Sequence, residues 1–175
     1  AEAALLGQMV KDPNPSISTT VLMSDEKSEE LYNRQWILAP NAMTYGFGVA
    51  ENNSVFWLLK PGDKVPDSAY YNSHFISWPP VGYFPSMFLF DKWSFATNVD
   101  LSKAKVSITS KKFGPLSVKT QFEKAPLVAF GTLIMIPDID EAKRKTMKES
   151  GDSFQIKIVL DGPKKKEWTY TSTVY

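Results

Sequence analysis

The chain has one histidine, His74, and it is the first residue to test for chemistry. None of the 175 residues is cysteine, which excludes disulfides, thiolate metal sites and a cysteine nucleophile. A structural zinc site needs several histidine, cysteine or carboxylate ligands together, and a single histidine does not supply them. A serine triad using Ser73 or Ser77 would lack the G-x-S-x-G turn, and neighbouring residues on a strand point to opposite faces. The residue types therefore predict no catalytic residue, no bound metal and no cofactor.

The acidic residues offer two further candidates for chemistry. The segment 137–141, PDIDE, places three carboxylates close together, and calcium prefers several oxygen ligands. It lacks the EF-hand spacing, so a solvated loop is the simpler interpretation. A carboxylate such as Glu51 or Asp67, beside residues 70–74, could instead belong to the pair of acids that a glycoside hydrolase uses. A carboxylate-based hydrolase therefore stays open as an alternative function.

The balance of charge limits the partners of the chain. Lysine and arginine total 20 against 19 acidic residues, so the net charge is +1. Only Arg34 and Arg144 are arginines, and arginine supplies most bidentate contacts to bases and phosphates. We therefore expect no nucleic-acid partner. No apolar run approaches the ~20 residues that span a bilayer, so we also expect no transmembrane segment. The oligomeric state stays open.

Aromatic residues are concentrated between residues 70 and 95, which hold ten of the chain's 23. Pro79, Pro80 and Pro85 lie among them, and this proline spacing excludes a helix. Burying one such side chain contributes roughly 1.5–3 kcal/mol, whereas ten exposed rings would promote aggregation, so most are expected in the core. The candidates for a ligand-binding surface are Tyr70, Tyr71, His74 and Tyr83. Exposed rings on a strand can also stack on sugars, which makes a carbohydrate-binding module an alternative function.

Residues 1–69 predict a small α/β segment. Residues 2–10 are rich in helix formers, and residues 16–23 are β-branched enough for a short strand or an extended linker. Ser24 is a suitable N-cap for a helix that runs to about Leu38.

A hairpin and a domain boundary are predicted next. Strands at 43–50 and 55–59 flank an Asn-Asn turn signal. Proline, glycine and aspartate are frequent after the second strand, and the boundary is placed near residue 70. The predicted division is therefore an α/β segment at 1–69 and a β-domain at 70–175.

The β-domain is predicted from short apolar or alternating runs separated by turns. Such runs at intervals of about ten residues are typical of a β-sandwich. Gly131 predicts a bulge in the most apolar run, and the charged residues 138–152 predict a flexible or briefly helical segment. The predicted strands are 75–78, 87–90, 93–96, 105–109, 116–122, 127–136, 154–160 and 168–175. The fold class is thus mainly β, a β-sandwich with a smaller N-terminal α/β segment.

Several of these segments resemble one family of secreted bacterial proteins. Residues 78–85, WPPVGYFP, are followed by WSF at 93–95 and VDLSKAKV at 99–106. This order resembles the region after the CAP (SCP/PR-1-like) domain, where a WP-x-G-x-x-P, WSF and S-x-A-x-V pattern opens a small Ig-like β-domain. Residues 168–174 are similar to the closing strand of that domain. The resemblance implies an extracellular or cell-surface location.

The N-terminal part resembles the end of the CAP domain itself, but without its site. Residues 33–40, NRQWILAP, and the Gly46-Phe47-Gly48 triplet are similar to the H-R-x-x-(I/L)-L-x-P and G-x-G passages of that family. Its cavity uses two histidines and two acids, whereas Asn33 replaces the histidine here and the G-H-Y-T-Q signature is missing. The resemblance therefore implies the distal part of such a protein or a relative without the cavity. The expected function is a non-catalytic extracellular binding or structural module, with a protein or glycan partner at the cell surface.

Overall fold

The computed structural model describes residues 4–7, 15–25, 30–39, 46–50, 53–57, 74–124, 131–162 and 165–175. The strands of these residues are β1 Ala4–Gly7, β2 Gly46–Ala50, β3 Asn53–Trp57, β4 Ile76–Trp78, β5 Gly82–Phe84, β6 Trp93–Thr97, β7 Lys105–Ser110, β8 Gly114–Leu116, β9 Val118–Glu123, β10 Gly131–Pro137, β11 Asp152–Leu160 and β12 Lys166–Val174. The helices are α1 Pro15–Ser24, α2 Tyr32–Ile37 and α3 Glu141–Ser150, with one 3-10 turn at Ser86–Phe88.

Nine of these strands form the predicted β-sandwich. One sheet has the order β4-β6-β10-β9 and the other has the order β5-β12-β11-β7-β8. β5 is parallel to β12, and the other pairs are antiparallel. Named in chain order from A and A′ to G, the strands follow the order A-B-E-D and A′-G-F-C-C′ that defines the immunoglobulin arrangement. The predicted fold class is confirmed.

The core of the sandwich lies between the inner faces of the two sheets. Trp93 and Phe95 on β6 pair with Met135 and Leu133 on β10, and all four side chains are buried. The other sheet contributes residues from β7, β11 and β12, and Met147 of α3 closes one end. Buried members of this core are Phe84, Leu89, Trp93, Phe95, Leu101, Ile108, Leu133, Met135, Met147, Phe154, Ile156, Ile158, Tyr170 and Val174. Seven of the eight described aromatic residues of 70–95 are buried or half-buried, and Tyr83 is the exposed one, so the expectation that most of them pack into the core is met when the half-buried rings are included.

The four-stranded sheet is also covered on its outer face, by α2. All five residues of β6 are buried, because Ser94 and Ala96 face α2 while Trp93, Phe95 and Thr97 face the core. Leu31, just before α2, is fully buried against this face. This contact between α2 and the outer face of the four-stranded sheet is called the junction below.

Three predictions for the N-terminal segment are wrong. Ser24 is not the N-cap of a helix that runs to about Leu38, because it ends α1, and α2 covers only Tyr32–Ile37. Residues 4–7 form a strand rather than a helix, because they pair with β3 at the edge of the three-stranded sheet β1-β3-β2. Residues 15–24 form a helix rather than a strand: Pro15 suits its first position, and Leu22 and Met23 are buried in a small apolar cluster with Phe90. Tertiary contacts override local propensity in both places. The predicted hairpin is confirmed as β2 and β3.

Three predictions inside the β-domain also need correction. Residues 86–88 form a 3-10 turn, whereas a strand was predicted at 87–90. The predicted strand 116–122 is interrupted at Ser117, where the chain passes from β8 in one sheet to β9 in the other. Gly131 pairs regularly with Thr97 and forms no bulge. Phe122 packs closely against Gly131 and leaves no room for a side chain there, since an added Cβ would lie 2.4 Å from Cζ of Phe122.

The charged segment after β10 forms the brief helix that was predicted. Asp140 is its N-cap and accepts a hydrogen bond from the Lys143 backbone amide at 2.8 Å. Met147 is the residue that fixes α3 to the core. Residues 58–73 lie outside the described residues, so the domain boundary near residue 70 stays a prediction.

Candidate binding surface

The structure describes two of the four predicted site residues. Tyr70 and Tyr71 lie outside the described residues. His74 is exposed and precedes β4 in the four-stranded sheet, whereas Tyr83 lies on β5 in the five-stranded sheet. Glu51 and Asp67, named for the hydrolase alternative, also lie outside the described residues. The grouping of all four residues into one site therefore stays a prediction.

Tyr83 belongs to a cluster of exposed apolar side chains at one edge of the sandwich. Its exposed fraction is 78%, and Val81, Met87 and Tyr175 are exposed by 61%, 54% and 65%. These four residues are called the edge patch. The other large exposed apolar residues of the described part, Val21, Tyr32 and Phe113, lie in α1, in α2 and in the β7–β8 turn. Four of the seven large apolar side chains that are exposed in the described part of the chain therefore belong to the edge patch.

The backbone beneath the edge patch is firmly hydrogen-bonded. Tyr83 is the register partner of Thr173 in the parallel pair of β5 and β12. The Tyr175 amide donates to the Phe84 carbonyl at 3.2 Å, and the Ser86 amide donates to the Tyr175 carbonyl at 2.9 Å. Phe84 and Val174 point into the core and are 2% and 1% exposed. Because side chains alternate along a strand, burying Phe84 directs Tyr83 outward.

A polar sheet face adjoins Tyr83. Thr173, its register partner, shares a hydroxyl hydrogen bond of 3.0 Å with Ser153 on β11. Further along, the outer face continues through threonine, glutamine and serine side chains, and it ends at the ion pair between Lys157 and Glu167. The residues of this polar face are Ser107, Thr109, Ser153, Gln155, Thr169, Thr171 and Thr173. Its hydroxyl and amide groups can donate and accept hydrogen bonds without adding net charge.

A cavity of about 570 Å³ lies between β9, β10 and α3. Val118, Ile136 and Ile139 give it apolar walls. The Arg144 guanidinium at its rim is already used, because it forms an ion pair with Asp91 and donates to the Leu89 carbonyl at 2.7 Å. The described lining holds both carboxylates and basic groups, so its charge favours neither an anionic nor a cationic ligand.

Arg34 organises the junction. It is 1% exposed, and its Nε donates to the Met23 carbonyl at 2.6 Å while its NH2 group donates to the Ser24 carbonyl at 3.2 Å. Its NH1 group donates to the Lys92 carbonyl at 2.6 Å, and the guanidinium lies 5.2 Å from the centre of the Phe90 ring. Burial lowers the pKa of Arg34 to about 10. The side chain therefore ties α1 and α2 to the sandwich.

Two carboxyl groups lie at the junction, and sequence reasoning singled out neither. Asp25 accepts from the Arg34 amide at 3.0 Å and from the Asn33 side chain at 2.7 Å. Glu123 accepts from the Gln35 side chain at 2.6 Å through its Oε2 atom. Burial raises the pKa of both carboxyl groups. Nothing in the local sequence marks them, because their burial depends on α2 docking onto the sheet.

The described residues contain no group of three or more histidine, cysteine or acidic side chains placed to hold a metal ion. Within the same part of the chain, no helix has both the length and the apolar character needed to cross a membrane.

Comparisons with known proteins found similar solved structures but no matching family. No family model matches the chain, and no curated protein matches it. Two solved structures of PcoC, a methionine-rich copper resistance protein from Escherichia coli, are similar to it. They share 13% and 16% sequence identity with it, cover 57% of this chain and 93% and 95% of their own, and give a TM-score of 0.38. These values support no conclusion about ligand or activity.

Proposed function

We propose that the chain is a non-catalytic binding module that engages a partner protein through the edge patch. The observation that carries the proposal is the gathering of four exposed apolar side chains, Val81, Tyr83, Met87 and Tyr175, at one hydrogen-bonded edge. Exposed apolar side chains grouped on the surface of a folded domain are a feature of interaction sites.

The composition of the edge patch favours a protein over other partners. Tyrosine and methionine are enriched at protein interfaces, and charged residues are depleted at their centres. Tyr83 is held at an ordered edge, so fixing its ring on binding costs little conformational entropy. We expect Tyr83 to be a hot spot of the interface.

The same proposal includes an extracellular location and a relationship to CAP-domain proteins. Its support is the order of motifs that resembles the domain following CAP. WPPVGYFP runs from the last residue of β4 to the residue after β5, so it includes the crossing between the two sheets, and WSF begins β6. The motifs thus lie in the first strands of the β-domain, and this position supports the proposed relationship.

Site-specific photo-crosslinking tests the proposal. A photoreactive phenylalanine at position 83 should crosslink one protein on the surface of the source cells, and the same group at Phe113 should not. Phe113 is a matched control because it is an exposed aromatic residue away from the edge patch. With the purified partner, Tyr83→Ala should weaken binding at least tenfold, about 1.4 kcal/mol, and Phe113→Ala should leave it unchanged. Equal crosslinking at both positions would reject the proposal.

A glycan is the second candidate, favoured by one observation. Tyr83 stands next to Thr173, at the border of the polar face, so a sugar stacked on the ring could hydrogen-bond to that face. Affinity electrophoresis in gels that contain soluble xylan, mannan or laminarin separates the two candidates. Retardation that is lost in Gln155→Ala and kept in Met87→Ala would favour the glycan. Unchanged mobility in all three gels, with crosslinking to a protein at position 83, would favour the protein partner.

A further inference from the structure

Two oxygen atoms are buried at the junction with no hydrogen-bond partner among the described residues. They are Oε1 of Glu123 and Oγ1 of Thr132, on residues directly opposite each other in β9 and β10. The other carboxylate oxygen of Glu123 accepts both from the Leu31 amide at 3.3 Å and from Gln35 at 2.6 Å. The Leu31 amide and the Gln35 side chain therefore both donate to Oε2, and neither donates to Oε1. Buried polar atoms in folded proteins are nearly always satisfied, so this pair requires an explanation.

A small cavity adjoins Thr132. It measures about 10 Å³ and is lined on the sheet side by Ser94 and Thr132 and on the helix side by Arg34 and Gln35. Apolar side chains complete the wall: Leu31, Leu38, Ile76 and Ala96. One water molecule needs a polar cavity of roughly 10–15 Å³ and two to four hydrogen-bond partners. The cavity has the size for one water, and three of its polar side chains, Ser94, Thr132 and Gln35, can accept a hydrogen bond.

We infer that this cavity binds a single long-lived water molecule that links Thr132 to its polar neighbours and so joins α2 to the four-stranded sheet. An ion is a poor occupant. The Arg34 guanidinium in the wall repels a cation, and the Glu123 carboxylate beside Thr132 repels an anion. A neutral molecule that both donates and accepts hydrogen bonds satisfies the surroundings, and the volume admits nothing larger than water. The inference does not depend on the proposed function.

Replacing Thr132 by valine distinguishes a cavity that holds water from a dry cavity. Valine keeps the shape of threonine and removes its oxygen. If water is bound there, Thr132→Val removes one of its partners, and we expect the equilibrium constant of unfolding to rise about five- to tenfold. In a dry cavity the change would remove an unsatisfied hydroxyl, and that constant would fall. Thr120→Val, on exposed β9 of the same sheet, controls for the difference in strand propensity.

Direct detection of the water completes the test and does not require the variant to fold. In the wild-type chain, NMR should show a cross-peak between the Thr132 methyl group and a water molecule that stays for longer than a nanosecond. In Thr132→Val the valine methyl groups should show no such cross-peak to water, and in Thr120→Val the Thr132 cross-peak should persist. Absence of the cross-peak in the wild-type chain would overturn the proposal, whatever the stability of the variants. A decrease of the unfolding constant in Thr132→Val would also overturn it.

Discussion

Replacing Arg34 by methionine should detach the N-terminal helices from the sandwich. Methionine keeps most of the apolar length of arginine and removes the guanidinium. Three carbonyl groups would then lose their donor, those of Met23, Ser24 and Lys92. Asp25 would keep the Arg34 backbone amide as a donor but would lose the nearby positive charge that favours its ionised form.

The magnitude follows from opposing contributions. Hydrogen bonds made by a charged group contribute about 1.5–3 kcal/mol each, so three of them give roughly 4.5–9 kcal/mol. Burial lowers the pKa of Arg34 from 12.5 to about 10, and at ~1.4 kcal/mol per pKa unit this costs roughly 3 kcal/mol. The difference leaves a net contribution of roughly 1–6 kcal/mol, with a midpoint of ~3 kcal/mol. That value is a large part of the stability of a domain of this size.

Urea denaturation followed by tryptophan fluorescence measures the loss, and hydrogen exchange of residues 30–39 shows where it occurs. Arg144→Met is the matched control, because Arg144 is the other arginine and pairs with an exposed carboxylate, Asp91. We expect the control to lose about 1 kcal/mol. A loss below 1 kcal/mol in Arg34→Met, with unchanged exchange at 30–39, would refute the role assigned to Arg34.

Two further predictions concern pH and packing at the same sheet. Burial raises the pKa values of Asp25 and Glu123 in the folded chain above their ordinary values of 3.8 and 4.5. Protonation of these carboxyl groups therefore stabilises the folded chain. This stabilisation is fully present below the ordinary pKa values and is lost as the pH rises through the folded pKa values. Unfolding free energies measured from pH 4 to pH 8 should therefore depend less on pH in Glu123→Gln than in the wild-type chain. Gly131→Ala should destabilise the chain by about 1–3 kcal/mol, since the new Cβ would lie 2.6 Å from the Glu123 carbonyl oxygen, whereas Gly48→Ala has open space and serves as its control.

Each of these predictions has a result that contradicts it. An identical pH profile for Glu123→Gln and the wild-type chain would mean that the carboxyl group is equally solvated in the folded and unfolded states. Equal unfolding free energies for Gly131→Ala and Gly48→Ala would mean that Phe122 and the β9 backbone yield to the added methyl group without cost.

Much of the β-domain could be predicted because its signals are local. Alternation at 105–109 and 154–160 gives strands that are half-buried, and turn residues separate them at regular intervals. The aromatic residues of 70–95 could be assigned to the core by their number alone. The N-terminal elements could not be predicted in the same way. Residues 4–7 favour a helix locally and become a strand only by pairing with β3.

The candidate surface was predicted in part. Tyr83 was named from its position in the aromatic segment, whereas Val81, Met87 and Tyr175 carry no signal of their own. Val81 and Met87 are near Tyr83 in the sequence, whereas Tyr175 joins it only because β5 pairs with β12, a strand that is far away in the chain. The role of Arg34 was also out of reach, because its acceptors lie in α1 and in the turn before β6.

The amino-acid sequence by itself determined that this protein is a mainly β sandwich without cysteine chemistry, since composition, strand period and turn residues act over short distances. The tertiary structure decided which faces of the strands are covered. The outer face of the four-stranded sheet packs against α2, which buries Arg34 and partly buries Glu123, whereas β5 leaves Tyr83 exposed at its edge. Burial of a side chain depends on what packs against it, and the packing partners here come from distant parts of the chain.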